Sequence, residues 1–547
     1  MKSLALYALS SLPTSLAVDY IWPGPHDHME DLLYLQSGFS RFGFVDGILS
    51  CAFGQNIPGR QNSAEWIRTA YHDMATADVD AGTGGLDASI MFETLRGENK
   101  GSAFNNTFGH LASFYTTRSS GADLLALAVV GSMSVCGGYE VPLRVGRVDA
   151  TEAGRMGVPE PQQDLETHTQ IFAKQGFNQT EMIELVACGH TLGGVHHEDF
   201  PEITGDNTTG QVSEFEFDDS NVVFDNQVVT EYLAGNTSNL LVAGKNDTMN
   251  SDKRIFAADG NETMQALADP EHFQKRCQTL MARMIDTVPA DVVLSEPLQP
   301  IDVKPYINLL ALNTNGSLDF TGYIRVHYGA DTGRNADDLS AYITYTDRAG
   351  KNTTTPITAT RPTFKSGTAT GFGGISFVFF EWDTQLDADA GISSFNIHIT
   401  SKSTNATTVY DNAGHGYPVQ DTVLYQLHQS CQNFEPNGNG GYDGSLTVAA
   451  AVRSEALASA SSDLSLHFAK KVPQGTVLDR FETQVEGFVK TGKSLAGYEL
   501  FEVKGMAVDA ESASTTFDVV LGAGDGATKV EFRNTNVLSQ ESCVPLV

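Results

Sequence analysis

The sequence predicts a multidomain chain in which a mainly α-helical unit is followed by all-β, sandwich-like units, and three observations carry that prediction. The chain has 547 residues, too many for one ordinary core, so two or three domains are expected, each large enough to fold without staples. From Ala64 to about Met284 apolar residues recur at helical spacing, as in Glu65-Trp66-Ile67-Arg68-Thr69-Ala70-Tyr71-His72 and Ala122-Asp123-Leu124-Leu125-Ala126-Leu127-Ala128-Val129. After Pro289 and the stretch Glu296-Pro297-Leu298-Gln299-Pro300, period-two alternation takes over. Examples are Tyr323-Ile324-Arg325-Val326-His327-Tyr328 and Ser376-Phe377-Val378-Phe379-Phe380, set between Gly, Asn and Asp turns. A Gly/Asn-rich hinge, Pro436-Asn437-Gly438-Asn439-Gly440-Gly441, divides the β part in two, with no strict repeat between the halves. The expected segments are a leader at 1–17, the helical unit at 18–295, a β-sandwich-like unit at 296–433 and a second β unit at 434–547.

Met1 to Ala17 joins a basic Lys2 to the apolar run Leu4-Ala5-Leu6-Tyr7-Ala8-Leu9 and ends in small residues, which is how a secretory signal peptide is built; cleavage is expected near Ala17. Pro13 and the change of character at Val18-Asp19-Tyr20 argue against a buried N-terminal helix. No later segment approaches the ~18 uninterrupted apolar residues needed to cross a bilayer, so no membrane span is expected. Acceptor sequences for N-glycosylation recur at Asn105, Asn178, Asn207, Asn236, Asn246, Asn261, Asn315, Asn352 and Asn405, a set that suits an exported glycoprotein. The six cysteines, Cys51, Cys136, Cys188, Cys277, Cys431 and Cys543, can pair in an oxidising compartment, and their spacing leaves the pairing open. No CxxC zinc pattern is present. A formal net charge of -33 repels nucleic acid and anionic membranes, whose binding needs clustered Lys and Arg.

The helical part carries the chemistry. Arg68 and His72 stand four apart, hence on one helix face, where a cation and an imidazole can converge on one small ligand. Far downstream, Ala187-Cys188-Gly189-His190-Thr191-Leu192-Gly193-Gly194 places a histidine at the end of an apolar helix. The small residues around it let something bulky approach the backbone. Such a histidine can bind a metal or fill a core. Between these segments lies Val141-Pro142-Leu143-Arg144-Val145-Gly146-Arg147-Val148-Asp149. Together, in this order, the three resemble the plant, fungal and bacterial haem peroxidase superfamily, with its distal Arg-x-x-(Phe/Trp/Tyr)-His, its Pro-x-x-x-Gly-Arg-x-Asp and its proximal Gly-His-(Thr/Ser). The resemblance covers roughly residues 40 to 290, and the nearest overall likeness is to hybrid extracellular peroxidases of fungi.

The resemblance implies haem b, two structural Ca2+ ions, hydrogen peroxide and a small reducing substrate. A neutral His72 takes a proton from hydrogen peroxide and returns it to the leaving oxygen, while Arg68 stabilises the negative charge that develops there. Asn99 matches the asparagine that accepts from the distal imidazole, Glu93 sits where a supporting acid is expected, and Tyr71 is the residue that packs on the haem. His190 is the implied axial ligand of the haem iron, and Asp252 the aspartate that accepts its ring N–H and makes it more electron-donating. Asp73, the backbone of Gly85, Asp87 and Ser89 match the calcium loop beside the distal helix. Thr191, Asp218, Ser220, the carbonyl of Val223 and Asp225 match the one on the proximal side, both built of hard oxygen donors. The resemblance pairs Cys51 with Cys136; Cys431 with Cys543 could close the last domain, and Cys188 is expected to be buried.

Departures from the family narrow the substrate. Tyr71 replaces the tryptophan of catalase-peroxidases. The positions of a manganese site hold Gln61, Glu65 and His196, where two glutamates and an aspartate are needed. Leu185 stands at the surface-tryptophan position of lignin oxidisers, and Asp199 at the ascorbate-binding arginine. What remains is one-electron oxidation of phenol-like or dye-like donors at the haem edge. The rival expectations are a secreted wall-binding protein with a catalytically inactive peroxidase-like domain, and a calcium-dependent binding module without haem. The β units carry too few cysteines for a cysteine-rich carbohydrate-binding module. Trp382 and Tyr442 are expected in core or turn positions, so a cell-wall polysaccharide contact through these units is carried as a hypothesis.

Overall fold

A computed structural model describes residues 20–54, 60–205, 214–353, 355–438, 441–458 and 463–545; the expected leader and the acceptor Asn207 lie outside them. The helical unit is followed by antiparallel β-sheets, as the alternation of the sequence predicts. Its centre is the helix Gly121–Val135, buried on all sides from Gly121 to Met133. A helix that is apolar all round can only be a core element, and its N-terminus is closed by Ser120, whose side chain accepts from the Asp123 N–H. Against it packs the helix Asn62–Met74, which buries Trp66, Ala70 and Met74 and turns Arg68 and His72 the other way.

The helix Gln179–Gly189 begins at a reciprocal cap, Asn178 with Glu181, and ends with His190 as its C-cap residue. It lies against Pro270–Asp286, which starts with proline after an Asp269 cap. Three ties fix this pair: the Cys188–Cys277 disulfide, a two-pronged Arg276–Glu184 ion pair at 2.8 and 2.6 Å, and the Arg283–Glu181 pair. Cys51–Cys136 and Cys431–Cys543 are the other disulfides.

Strands follow in chain order. β1 is Ser37–Gly38, and β2 (Gly194–His196) pairs with β3 (Glu214–Glu216) beside His190. The first sandwich contains β4 (Val303–Leu312), β5 (Ser317–Tyr328), β6 (Leu339–Thr346), β7 (Ile357–Ala359), β8 (Thr368–Thr370), β9 (Ser376–Asp387), β10 (Ser394–Ser401), β11 (Ala406–Tyr410) and β12 (Tyr417–Pro418). One sheet runs β1-β8-β9-β5-β4, the other β11-β10-β6-β7 with β12 on β10. Alternate residues such as Ile324, Ile343, Ile397 and Trp382 close its core.

The second β unit runs from β13 (Val423–Tyr425) and β14 (Cys431–Pro436) through β15 (Tyr442–Arg453), β16 (Leu464–Val472), β17 (Arg480–Gly487), β18 (Val489–Leu495) and β19 (Tyr498–Asp509) to β20 (Thr516–Leu521) and β21 (Thr528–Asn534). Its sheets are β13-β15-β19-β18, with β14 on β15, and β17-β16-β20-β21. Trp382 is core and Tyr442 stands exposed at the start of β15.

The units share packing. The first helix, Asp27–Tyr34, offers Glu30 and Asp31 to Lys304 and Arg325 of the first sandwich, all four buried. Phe377 and Phe379 of β9, and Leu478 from the loop before β17, sit in the core of the helical unit.

Candidate active site

One cavity of about 410 Å³ lies between the helix Asn62–Met74 and the helix Gln179–Gly189. Arg68, Tyr71 and His72 line one side; Gly189, His190, Gly193, Phe217 and Asp252 line the other.

On the first side, His72 Nδ1 is 2.9 Å from Asn99 Oδ1. Asn99 is fully buried, and its amide donates to the backbone carbonyl of Glu93 at 3.2 Å. The oxygen is therefore committed to the imidazole and fixes the proton on Nδ1, leaving Nε2 with a free lone pair. Glu93 acts on Asn99 through its carbonyl, since its carboxylate accepts from the Gly154 N–H at 2.7 Å and pairs with Arg96 at 3.1 Å. Burial, and then the Arg68 guanidinium, push the His72 imidazole down to about 3, so it is neutral over the ordinary pH range. Arg68 stacks over Phe104 at 4.6 Å and Phe200 at 5.6 Å and donates to the Lys100 carbonyl at 2.8 Å. Burial lowers it to about 10, which still leaves it charged. Tyr71 stacks on Phe172 with ring centroids 6.0 Å apart.

On the other side, His190 Nδ1 is 2.8 Å from Asp252 Oδ2. Asp252 is fully buried; burial acts upward on its carboxyl, but His190 and hydrogen bonds from His190, Asn239 and Ser251 outweigh it and keep the group below the ordinary range. Asn239 donates at 2.9 Å and Ser251 at 3.2 Å, so the carboxylate is held from three directions with its negative end toward the imidazole. Phe217 stacks on His190 with centroids 4.4 Å apart and planes 16° from parallel. The motif reading missed Phe217; its place directly before Asp218, in a loop already singled out, was the available signal.

The wall beside these groups holds Gln61, Glu65, His196 and Asp199. Arg60 forms an ion pair with Glu65 and lies 3.8 Å from Asp199, so a cation entering here meets a guanidinium. His196 is 3.7 Å from Glu214, a carboxyl that burial and then Glu216 raise to about 7.

The two oxygen-rich loops flank the site. Asp73 accepts from the N–H groups of Asp87 at 2.9 Å, Ala88 at 2.8 Å and Ile90 at 2.9 Å, and Asp87 accepts from the Ser89 N–H at 3.0 Å. Gly85 holds φ at +110°, and a Cβ there would meet the Thr287 carbonyl at 2.5 Å. On the proximal side Thr191 donates to the Asp225 carbonyl at 2.6 Å, Ser220 to the Asp225 carboxylate at 2.9 Å, and the Ser220 N–H to Asp218 at 2.9 Å. Val223 donates to the Ser220 carbonyl at 2.7 Å. Asp218 is fully buried, its Oδ2 has no hydrogen-bond partner among the described residues, and burial followed by neighbouring Asp225 and Glu231 raises it to about 7. Asp73 is raised by burial and by Asp87. Among the described residues no group of three or more His, Cys, Asp or Glu stands ready to hold a metal ion, and no helix is long and apolar enough to cross a membrane.

The peroxidase family model matches residues 49–269, the stretch that holds all of these groups. A WSC domain-containing protein of Arthroderma benhamiae is 35% identical over 530 residues, covering 96% of this chain and 68% of that protein. The chain belongs to the peroxidase family. The peroxisomal L-ascorbate peroxidase 5 of Arabidopsis thaliana is 32% identical over 189 residues, 34% of this chain and 63% of that enzyme. Mitochondrial cytochrome c peroxidase of Emericella nidulans is 30% identical over 138 residues, 24% of this chain and 37% of its own length. Likeness to the named peroxidases is thus confined to part of the chain, whereas likeness to the Arthroderma protein runs on through the β units.

Proposed function

We propose that this chain is a secreted, hydrogen-peroxide-dependent haem peroxidase that oxidises small phenolic or dye-like donors in one-electron steps. The observation that carries the proposal is a single cavity joining the Arg68, His72 and Asn99 group to the His190 and Asp252 pair. The cavity fits haem b: it is bounded by a histidine whose other nitrogen is already committed to a buried carboxylate, and by glycines at 189, 193 and 194. His190 would hold the iron, Asp252 would fix and enrich its imidazole, and Tyr71 would line the haem face. Haem, when bound, supplies the redox-active iron at which hydrogen peroxide is reduced.

The chain's own residues manage the proton. Neutral His72 accepts it from hydrogen peroxide and delivers it to the departing oxygen, which leaves as water. Asn99 keeps the imidazole in the tautomer that can accept, and Arg68 offsets the negative charge that builds on the leaving oxygen in a site shielded from water. The two loops suit structural calcium, Asp73, Gly85, Asp87 and Ser89 on one side and Thr191, Asp218, Ser220, Val223 and Asp225 on the other. Asp73 beside Asp87, and Asp218 beside Asp225 and Glu231, are like charges gathered out of water, an arrangement that a bound cation would offset. The donor pocket lacks an arginine at Asp199, which weighs against ascorbate, and Arg60 beside Glu65 weighs against manganese. The oxidising compartment fits three disulfides and no free cysteine among the described residues. Contact with cell-wall polysaccharide through the β units completes the reading, and the likeness to a WSC domain-containing protein runs on through those units.

The test is the absorbance spectrum of the haem-loaded chain before and after one equivalent of hydrogen peroxide, beside His190→Ala and His72→Ala. A Soret band lost in His190→Ala, with a peroxide response that His72→Ala slows by roughly 10²–10⁴-fold, is expected. Haem binding without any peroxide response would instead favour the rival reading, a peroxidase-like domain that is catalytically inactive. Absence of haem binding would overturn the assignment altogether.

A further inference from the structure

Arg254 lies two residues after Asp252 on the helix Ser251–Phe256, and no step of the peroxide chemistry uses it. Its Nη1 donates to the Asp247 carbonyl at 3.0 Å. Its Nη2 donates to the carbonyls of Pro161, of Gln163 at 2.9 Å and of Thr248 at 3.1 Å. All four acceptors are backbone oxygens, and Nε is buried without a hydrogen-bond partner among the described residues. A planar guanidinium used in this way is a brace, since its fixed fork holds several acceptors in one plane. It joins the segment that carries Asp252 to a stretch 93 residues earlier in the chain.

That stretch is a rim of the cavity. Pro159, Glu160, Pro161 and Gln162 line it; the first three are half-buried and Gln162 is exposed, so the same backbone is inner wall and outer edge. Its polar groups are tied one by one. Glu98, next to Asn99 in sequence, accepts from the N–H groups of Gly157 at 3.0 Å and Val158 at 3.2 Å. Fully buried His168 donates from Nε2 to the Glu160 carbonyl at 2.9 Å. The Gln163 N–H reaches the same carbonyl at 3.1 Å, and the Gln163 side chain accepts from the Glu160 N–H at 2.9 Å. Pro159 and Pro161 have no N–H to satisfy and their rings fix the backbone further. The rim is thus fastened beside Asn99, the partner of His72, and again to the helix of Asp252, the partner of His190.

We propose that Arg254 is a positioning residue for the electron donor: by bracing the rim at 159–163 it limits the width of the aromatic donor that the cavity admits, favouring one ring over two. The proposal deepens the peroxidase reading and rests on it. Arg68, His72 and His190 are not among the groups that Arg254 touches, so the brace acts on the donor step and leaves the peroxide step alone. A rim that shifts by about an ångström is enough to matter, because misplacement on that scale can cost roughly 10²-fold in a positioned reaction.

The test compares the haem-loaded wild-type chain with Arg254→Met, Arg254→Lys and His168→Leu, using guaiacol and the wider, two-ring bisphenol A, both uncharged at pH 7. The rate with hydrogen peroxide is followed separately, and amide hydrogen exchange is measured on the haem-free chain. The wild type is expected to prefer guaiacol. Arg254→Met should raise the guaiacol KM by about fivefold or more with kcat within about twofold, shrink the preference over bisphenol A by a similar factor, and leave the peroxide rate and the Soret position unchanged. Arg254→Lys should behave like Arg254→Met, because a point charge cannot replace the fork. His168→Leu frees the same rim from the other side and should shift the preference in the same direction, which keeps the proposal testable where Arg254→Met does not fold. Amides at 157–163 should exchange faster in each variant while those of the helix Gln179–Gly189 do not change. A donor preference that stays within twofold of wild type, a peroxide rate that falls in step with the donor rate, full recovery in Arg254→Lys, or unchanged exchange at 157–163 overturns the proposal and leaves the peroxidase reading standing. No peroxide response in the wild-type chain overturns both.

Discussion

Replacing Arg68 by leucine should move the acid limit of the hydrogen peroxide reaction upward in pH. In the wild-type chain burial is the first cause that lowers His72 and the Arg68 guanidinium the second, and together they bring it to about 3. At pH 5 the imidazole is then roughly 99% neutral, against roughly 3% for a histidine with its ordinary value of about 6.5. The base is therefore available across the acid range, and the second-order rate with hydrogen peroxide is expected to stay flat from pH 7 down to about 4. Removing the guanidinium leaves burial in place and takes away one unit charge, which should raise His72 by on the order of one unit. The absolute rate should fall at every pH as well, by roughly 10²–10³-fold, because stabilisation of the leaving oxygen is lost. Stopped-flow measurements on the haem-loaded chain between pH 3 and 7 separate the two effects, since one displaces the profile and the other scales it. A wild-type limit centred near 6.5, or a limit that Arg68→Leu leaves in place, would refute the reasoning.

Leu478 is almost fully buried in the core of the helical unit although it belongs to the second β unit, so Leu478→Ala is expected to cost about 2–4 kcal/mol in denaturant unfolding; a loss below about 0.5 kcal/mol would show that the contact is not made in solution. Asp149 caps the helix Gly121–Val135 through the N–H groups of Gly121 and Ala122, both at 2.9 Å, yet burial raises it to about 6 from 3.8. The folded state thus holds a proton that the unfolded chain has lost between about pH 4 and 6, and stability falls as pH rises through that window. Relative to wild type, Asp149→Asn should gain about 2–3 kcal/mol between pH 4 and pH 7, and a difference independent of pH would exclude this origin. Chelation should lower the thermal midpoint by several degrees, with calcium restoring it better than magnesium because loops of carboxylates, hydroxyls and carbonyls suit the larger ion; a midpoint indifferent to chelator would remove calcium from the reading.

The pairing of Arg68 with His72, the histidine at the helix end and the switch from helical to alternating spacing could all be read from the sequence because each is local. A period of three to four residues or of two is written in consecutive positions. Groups that meet across the chain were less accessible. Asn99 reaches His72 across 27 residues and Asp252 reaches His190 across 62, and only the family resemblance pointed to either. Where neither local pattern nor resemblance applied, the site contained surprises. Arg60 neutralises Glu65 from within a loop that carries no motif, and Phe217 supplies the ring against His190; Glu93, where the resemblance put a supporting acid, supports Asn99 with its carbonyl instead of its carboxylate. Cys188 was expected only to be buried; its bond to Cys277 closes a separation of 89 residues that spacing does not reveal.

The β units are part of how the helical unit is held, and the packing gives a physical reason. Phe372, Phe377 and Phe379 of the first sandwich and Leu478 of the second complete the same apolar core that buries Trp66 and the helix Gly121–Val135. The first helix carries Glu30 and Asp31 into a buried position where, among the described residues, Lys304 and Arg325 neutralise them. Removing the β units would therefore open apolar surface to water, while losing only Lys304 or Arg325 from the intact chain would leave carboxylate charge in a dry seam short of a partner, among the costliest defects a fold can carry. Β1, from the helical unit, is also an edge strand of the first sandwich, so the exchange runs in both directions. Such interlocking predicts that relatives of the whole chain keep helical and β units together. The 35% identity to the Arthroderma protein, sustained over 530 residues, has that form.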